Sequence, residues 1–263
     1  PWQQTFVYLG LPGILLSVMI LVIREPSRRP FSKDPQSSSD TEELINFYKR
    51  NFKTIFFHHL GNLSLVLTGY AFVFWSITFF VRVHGMSAAE ASQIFGWIFI
   101  FFGPMGPFLV AYVARVLSKK GHRDANITAG MLGGLITIPA VLIIQIAPSP
   151  FWAFVFYAPA LAAVNSPFGI AAGALPVITP PHLRARVAAV YMLTGAVGMM
   201  FGPPLAGAFN EYIFPGVEGV RYSMITMTCF FGITGVVLLQ LGRKHYALTM
   251  KNTENSEKNL ELE

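Results

Sequence analysis

Ser64, Thr68 and Trp75 fall at i, i+4 and i+11 of a stretch that is otherwise almost entirely apolar, and Tyr157, Asn165 and Phe168 recur at similar spacing in a second one. On a helix each set shares one face, the second together with Leu161. The groups offered are hydroxyls, an indole N–H, a carboxamide and aromatic surface. They suit recognition of an amphipathic solute by neutral hydrogen bonds and apolar contact. The same residue types also join helices to one another inside membranes, at about 0.6–2 kcal/mol per bond, and spacing alone leaves both readings open.

Bond-making chemistry is harder to find. The chain has no GxxxxGK[ST] phosphate loop, no HExxH zinc pair and no GxSxG elbow, and no apolar stretch contains a carboxylate to act as base or nucleophile. We expect no enzyme activity, no cofactor and no metal. His58 and His59 are adjacent, so a helix points them to different faces, and they read as residues of the membrane interface.

Seven stretches of 18 to 28 residues lack Asp, Glu, Lys and Arg altogether: 6–23, 55–81, 91–113, 127–147, 151–178, 187–209 and 222–241. A bilayer core of about 30 Å needs roughly 20 apolar residues of helix, so each can cross. Composition agrees, with 53% hydrophobic and 12% charged residues and a mean hydropathy of +0.52. The expected class is an all-α membrane protein of seven transmembrane helices.

The pI near 9.5 would suggest a nucleic-acid partner only if the cations formed one patch. Topology divides them instead. With residues 24–53 in the cytoplasm, 17 of the 19 Lys and Arg fall on that side, and Arg82 and Arg221 on the other. That is the positive-inside pattern, which puts the N-terminus outside and the C-terminus in the cytoplasm. Nucleic acid is therefore not an expected partner, whereas membrane lipids are. The lone Cys229 lies inside the last span and forms no intramolecular disulfide.

Residues 24–40, rich in Pro, Ser and charge, read as a linker. Asp40 and Thr41 can cap a following helix whose first turn carries Glu42 and Glu43. Leu44, Ile45, Tyr48 and Phe52 then fall near one face, either against the membrane surface or as an extension of the second span. The polar tail 245–263 is expected to be disordered. The domains read from this are 1–23, a single helix; 24–53, a cytoplasmic linker with an amphipathic helix; 54–244, a six-helix bundle; and the tail.

The six helices divide into two triplets whose middle members each carry a Gly/Pro cluster, Gly103-Pro104 with Pro107 in one and Gly202-Pro203 in the other. Paired interruptions in repeated three-helix units mark moving or substrate-facing regions of secondary transporters, although such clusters also simply kink or pack helices. Gly169 and Gly173, and Gly195, Gly198 and Gly202, have helix-contact spacing.

Several of these segments resemble one family. Phe6-Val-Tyr-Leu-Gly10-Leu-Pro12-Gly13 with Arg24-Glu25-Pro26-Ser-Arg28-Arg29 is similar to the sixth helix and central loop of major facilitator superfamily transporters, particularly the spinster-like branch. Val83-His-Gly85-Met-Ser87-Ala-Ala-Glu90 resembles that branch's seventh-to-eighth-helix loop. Thr179-Pro-Pro-His-Leu-Arg184-Ala-Arg186, running on to Gly202-Pro-Pro and Glu211-Tyr-Ile-Phe214, resembles its tenth-to-eleventh-helix region. The chain would then hold the sixth to twelfth helices of a twelve-helix fold, and its main partner would be the missing N-terminal half.

The resemblance implies secondary transport, in which two halves rock about a central site. It suggests sphingoid or lysolipid cargo, with a small organic or sugar acid as the alternative; a seven-helix receptor is the reading from another class. Ser64, Thr68, Trp75, Tyr157, Asn165 and Phe168 would contact substrate. Gly103, Pro104, Pro107, Arg115, Gly202 and Pro203 would serve conformational change. One position departs from the pattern: Ala114 precedes Arg115 where the superfamily often has an acid, so a charge lock built on that carboxylate is lost. A proton-coupling acid would have to come from the missing half.

Overall fold

The computed structural model describes residues 2–22 and 37–261 and forms two units, Pro1–Asp40 and Thr41–Glu263. Of the expected linker at 24–40, residues 24–36 lie outside the described residues, whereas 37–40 form the first turn of a helix, so Asp40 lies within that helix and does not cap it. In the first unit, α1 (Trp2–Leu21) carries no charge and has Pro12 in its interior. All of its described side chains are exposed. Helix α2 (Ser37–Arg50) then leads into the second unit.

The second unit is a helical bundle centred on α3 (Phe52–His84), whose 33 residues extend about 50 Å. Gly85, at φ 67°, closes α3. Ser87 opens α4 (Ala88–Phe102) with a capping box to Glu90, two reciprocal bonds that satisfy otherwise orphaned amides. Helix α5 (Met105–Lys119) continues α4 after a break at Gly103-Pro104, and α6 (Ala125–Gln145) follows a turn through Gly121. Next come α7 (Pro150–Val164), α8 (Ser166–Ile178), a 3-10 turn at Pro181–Leu183 and α9 (Arg184–Ala208). Helices α10 (Gly219–Met227) and α11 (Ile233–Glu261) are joined through a π-helical turn.

Helix α3 packs chiefly on α9 and α11, while α6 packs on α5, α7, α8 and α11. One core gathers Ile55, Leu65, Ile127, Leu175 and Leu239, and a second gathers Phe72, Phe80, Ile144, Leu161 and Met224. The outer surface is equally apolar: Trp97, Phe101, Phe108, Tyr112, Phe151 and Met200 are all largely exposed. Water does not tolerate so extensive a greasy exterior, whereas lipid does. Among the described residues, six stretches are long and apolar enough to cross a membrane: Gln3–Leu21, Phe52–His84, Ala88–Lys119, Ala125–Gln145, Pro181–Ile213 and Gly219–Asn255. The all-α membrane class follows.

Three expectations need correction. The stretch 151–178 is not one helix, because the chain breaks at Asn165 between α7 and α8. Residues 245–261 are helical instead of disordered. Tyr246, Thr249, Met250 and Thr253 recur on one face of α11; Tyr246 donates to the Ala174 carbonyl at 2.8 Å, and the Thr54 and Thr249 hydroxyls lie 2.9 Å apart. Finally, the two Gly/Pro clusters are not equivalent interruptions, since Gly103-Pro104 ends a helix whereas Pro203 and Pro204 lie inside α9.

Helix α2 has an apolar face, and it turns toward protein. Phe47 is buried and Leu44 and Tyr48 pack with it against the first core, while Ile45 and Phe52 stay exposed.

Candidate functional site

The polar side chains of α3 are largely engaged by their own helix. Ser64 donates to the Leu60 carbonyl at 2.9 Å, and Thr68 to that of Ser64 at 3.1 Å. Both residues are buried. Hydroxyls one turn above a carbonyl find this bond readily in an apolar surround, where no water competes for it. Trp75 reaches sideways, its indole N–H donating 2.9 Å to the Pro203 carbonyl and so bracing α3 against α9. Its ring also borders a wide groove with Pro204, Gly207 and Asn210.

Tyr157 is a core residue. Its hydroxyl lies 2.6 Å from Ser76 Oγ, and its ring stacks on Phe72 at 4.9 Å. Asn165 occupies the break between α7 and α8 and donates to the Leu161 carbonyl at 2.8 Å. The side chain of Phe168 lies outside the described residues.

Asn165 is the member of the expected set that borders the recess between α3, α4 and α7. Val66, Gly69, Tyr70 and Val73 form one wall, with Phe99 and Val164 opposite. Tyr70 carries no signal in the spacing that selected Ser64, Thr68 and Trp75, and was missed for that reason. The recess encloses about 90 Å³, well below the roughly 300 Å³ of a drug-sized pocket. Its surface is apolar and aromatic with one carboxamide.

Among the residues expected to serve conformational change, Gly202 makes the closest helix contact. A Cβ there would stand 2.6 Å from the Leu67 carbonyl oxygen, so only glycine lets α9 approach α3 this closely. Pro203 supplies the acceptor for Trp75. Gly103 and Pro104 form the break between α4 and α5, and Pro107 lies in the first turn of α5, where a missing amide costs least. Arg115 is exposed and borders a groove with Arg123 and Glu254.

Carboxylates at other positions hold that end of the bundle. Arg243 Nε donates to Asp124 Oδ2 at 2.6 Å, and Arg123 Nε to Glu254 Oε2 at 3.2 Å. Burial by itself would raise the Asp124 carboxyl, but the hydrogen bonds from Arg243 and Thr128 outweigh it and hold the group below the usual carboxylate range.

His58 and His59 are not at an interface with water: they are 1% and 8% exposed. Their Nδ1 atoms lie 3.5 Å apart, and both rings pack on Tyr191 of α9, with centroids 5.4 Å away. Among the described residues, no group of three or more His, Cys, Asp or Glu could hold a metal ion.

No family model matches the chain, and no curated protein does. Solved structures do. A bacterial homologue of the human lysosomal transporter Spinster, inward-facing and unoccupied, matches with a TM-score of 0.60 at 22% identity, over 97% of this chain and 60% of that one. Its inward-facing, occupied form gives 0.57 at 21% identity, over 95% and 58%. The fold is shared along nearly the whole chain, while the chain spans about 60% of the length of that homologue.

Proposed function

We propose that this chain is the C-terminal portion of a spinster-like transporter of the major facilitator superfamily, carrying the six helices of one half together with the last helix of the other. The observation that carries this reading is the shared fold over 97% of the chain, found where sequence motifs had already pointed to the same branch. Helices α7 and α8 together make the crossing that neither completes alone, which brings the number of crossings to seven. The cation distribution supports a cytoplasmic location for the ends of the bundle bearing Lys53, Arg123 and Arg243.

In this reading the recess around Asn165 faces the opposite half, and the two walls together enclose a solute that alternates between the two sides of the membrane. The lining favours an amphipathic, lipid-like solute. It has no Lys or Arg to balance a small organic anion. Among the described residues no Asp or Glu lies in the central turns of a span, which assigns any proton-coupling acid to the preceding half.

Uptake of a fluorescent lysolipid and of a hexuronate into vesicles containing the complete carrier tests the proposal. Asn165→Ala and Phe99→Ala, both in the lining of the recess, should each lower lysolipid uptake several-fold at unchanged protein level. Hexuronate uptake in preference to lysolipid, or no effect of either variant, overturns the substrate assignment.

A further inference from the structure

At the α2 end of the second unit, away from the recess, a cavity of about 920 Å³ opens between α2, the start of α3, the 3-10 turn and α11. Its charge is one-sided. Lys49, Arg50 and Lys53 line it, and the single carboxylate in the lining, Glu43, is already engaged by His182 Nε2 at 2.9 Å. Among the described residues no ion pair engages the three cations. The three side chains are exposed, so their mutual repulsion is screened, but together they give the cavity a positive potential that favours an anion.

The remaining lining fits the same chemistry. Asn46 and Asn252 contribute carboxamides, and Thr54 and Thr249, paired at 2.9 Å, add hydroxyls where α3 meets α11. Guanidinium and ammonium groups beside neutral donors bind phosphate oxygens more readily than any uncharged ligand. Phe52 and Leu248, 62% and 59% exposed, border the charged residues with bare apolar surface. A headgroup in the cavity would leave its chains against these two side chains.

We propose that this cavity binds a phosphate-bearing anion, with an anionic membrane lipid as its main source. The inference rests on the proposed function only in placing this end of the bundle at the membrane surface. Binding is measured without transport, so its failure would leave the transport reading intact.

The full chain, in a neutral maltoside detergent, is titrated by calorimetry with dioctanoyl phosphatidic acid, dioctanoyl phosphatidylcholine and inorganic phosphate. Saturable binding of phosphatidic acid but not of phosphatidylcholine is expected. The triple variant Lys49→Ala/Arg50→Ala/Lys53→Ala should weaken it about tenfold or more, and Arg50→Gln alone by a smaller factor in the same direction. Lys119→Ala/Lys120→Ala, which removes charge at a different loop, should leave it within about twofold. Inorganic phosphate that displaces the lipid at millimolar concentration would make free phosphate a second ligand of the same site, and phosphate that does not would restrict the site to lipid. Absence of saturable phosphatidic acid binding, or equal loss in the 49/50/53 and 119/120 variants, overturns the proposal.

Discussion

Arg243 and Asp124, 119 residues apart in the chain, meet at 2.6 Å and fasten α11 to the entry of α6. Their side chains are 31% and 14% exposed, so the pair is screened less than a surface ion pair. Asp124→Asn should destabilise the bundle by about 1–2 kcal/mol, in the range of hydrogen bonds to charged groups after allowing for partial exposure. The sign of its pH dependence follows from a native carboxyl held below its unfolded value of about 3.9. The stabilisation is complete above that value and is lost as pH falls through the lower native one. Thermal unfolding of wild type and Asp124→Asn should therefore differ at pH 7 and converge in strong acid; a gap that widens on acidification would refute the assignment.

Gly202 and Gly195 offer a matched pair on α9. Gly202→Ala places a methyl against the Leu67 carbonyl and should cost about 1–3 kcal/mol through forced separation of the helices. At Gly195 nothing lies within 4 Å, so Gly195→Ala should be neutral or stabilising by up to about 1 kcal/mol. Melting midpoints of the two variants, measured in the same detergent, check the contrast.

Tyr157 should behave as a packing residue. Tyr157→Phe removes the bond to Ser76 while keeping the stack on Phe72, and should cost about 1 kcal/mol. Tyr157→Ala leaves a cavity in the second core and should cost about 3–5 kcal/mol. Lysolipid affinity that drops in Tyr157→Phe without a change in melting would instead make the hydroxyl a substrate contact.

The proposed topology puts residues 89 and 118 on opposite sides. Both are exposed at opposite ends of the α4–α5 crossing. With Cys229→Ser as background, Ala89→Cys and Ser118→Cys should react with an impermeant maleimide from opposite faces of sealed vesicles. Labelling of both from the same face would sink the arrangement.

How far these features could be read from the sequence varies with their range. Six of the spans were plain, because exclusion of charge over 18 or more residues is a local signal tied to bilayer thickness, but the same signal over 151–178 hid the break at Asn165. Small-residue spacing picked out the close approaches at Gly198 and Gly202 but also named Gly195, which meets nothing within 4 Å. Shared helix faces group Ser64, Thr68 and Trp75 but do not say what each one meets: two hydroxyls turn to their own backbone and the indole to Pro203. Pairing of Asp124 with Arg243 depends on how α6 meets α11, which no local pattern encodes. The helix beyond His245 was missed because Tyr246, Thr249 and Met250 are thinly spread among polar residues, and their face has meaning only once α3 and α8 are beside it.

A Cβ at position 106 would run into the Ala162 carbonyl and come within 3.1 Å of the Ser166 amide, so the start of α5 rests on the junction of α7 and α8. The discontinuities at Gly103-Pro104 and Asn165 thus lie back to back. Both interruptions therefore share one seam, and a side chain at position 106 would have to prise α5 away from both pieces of the broken crossing at once.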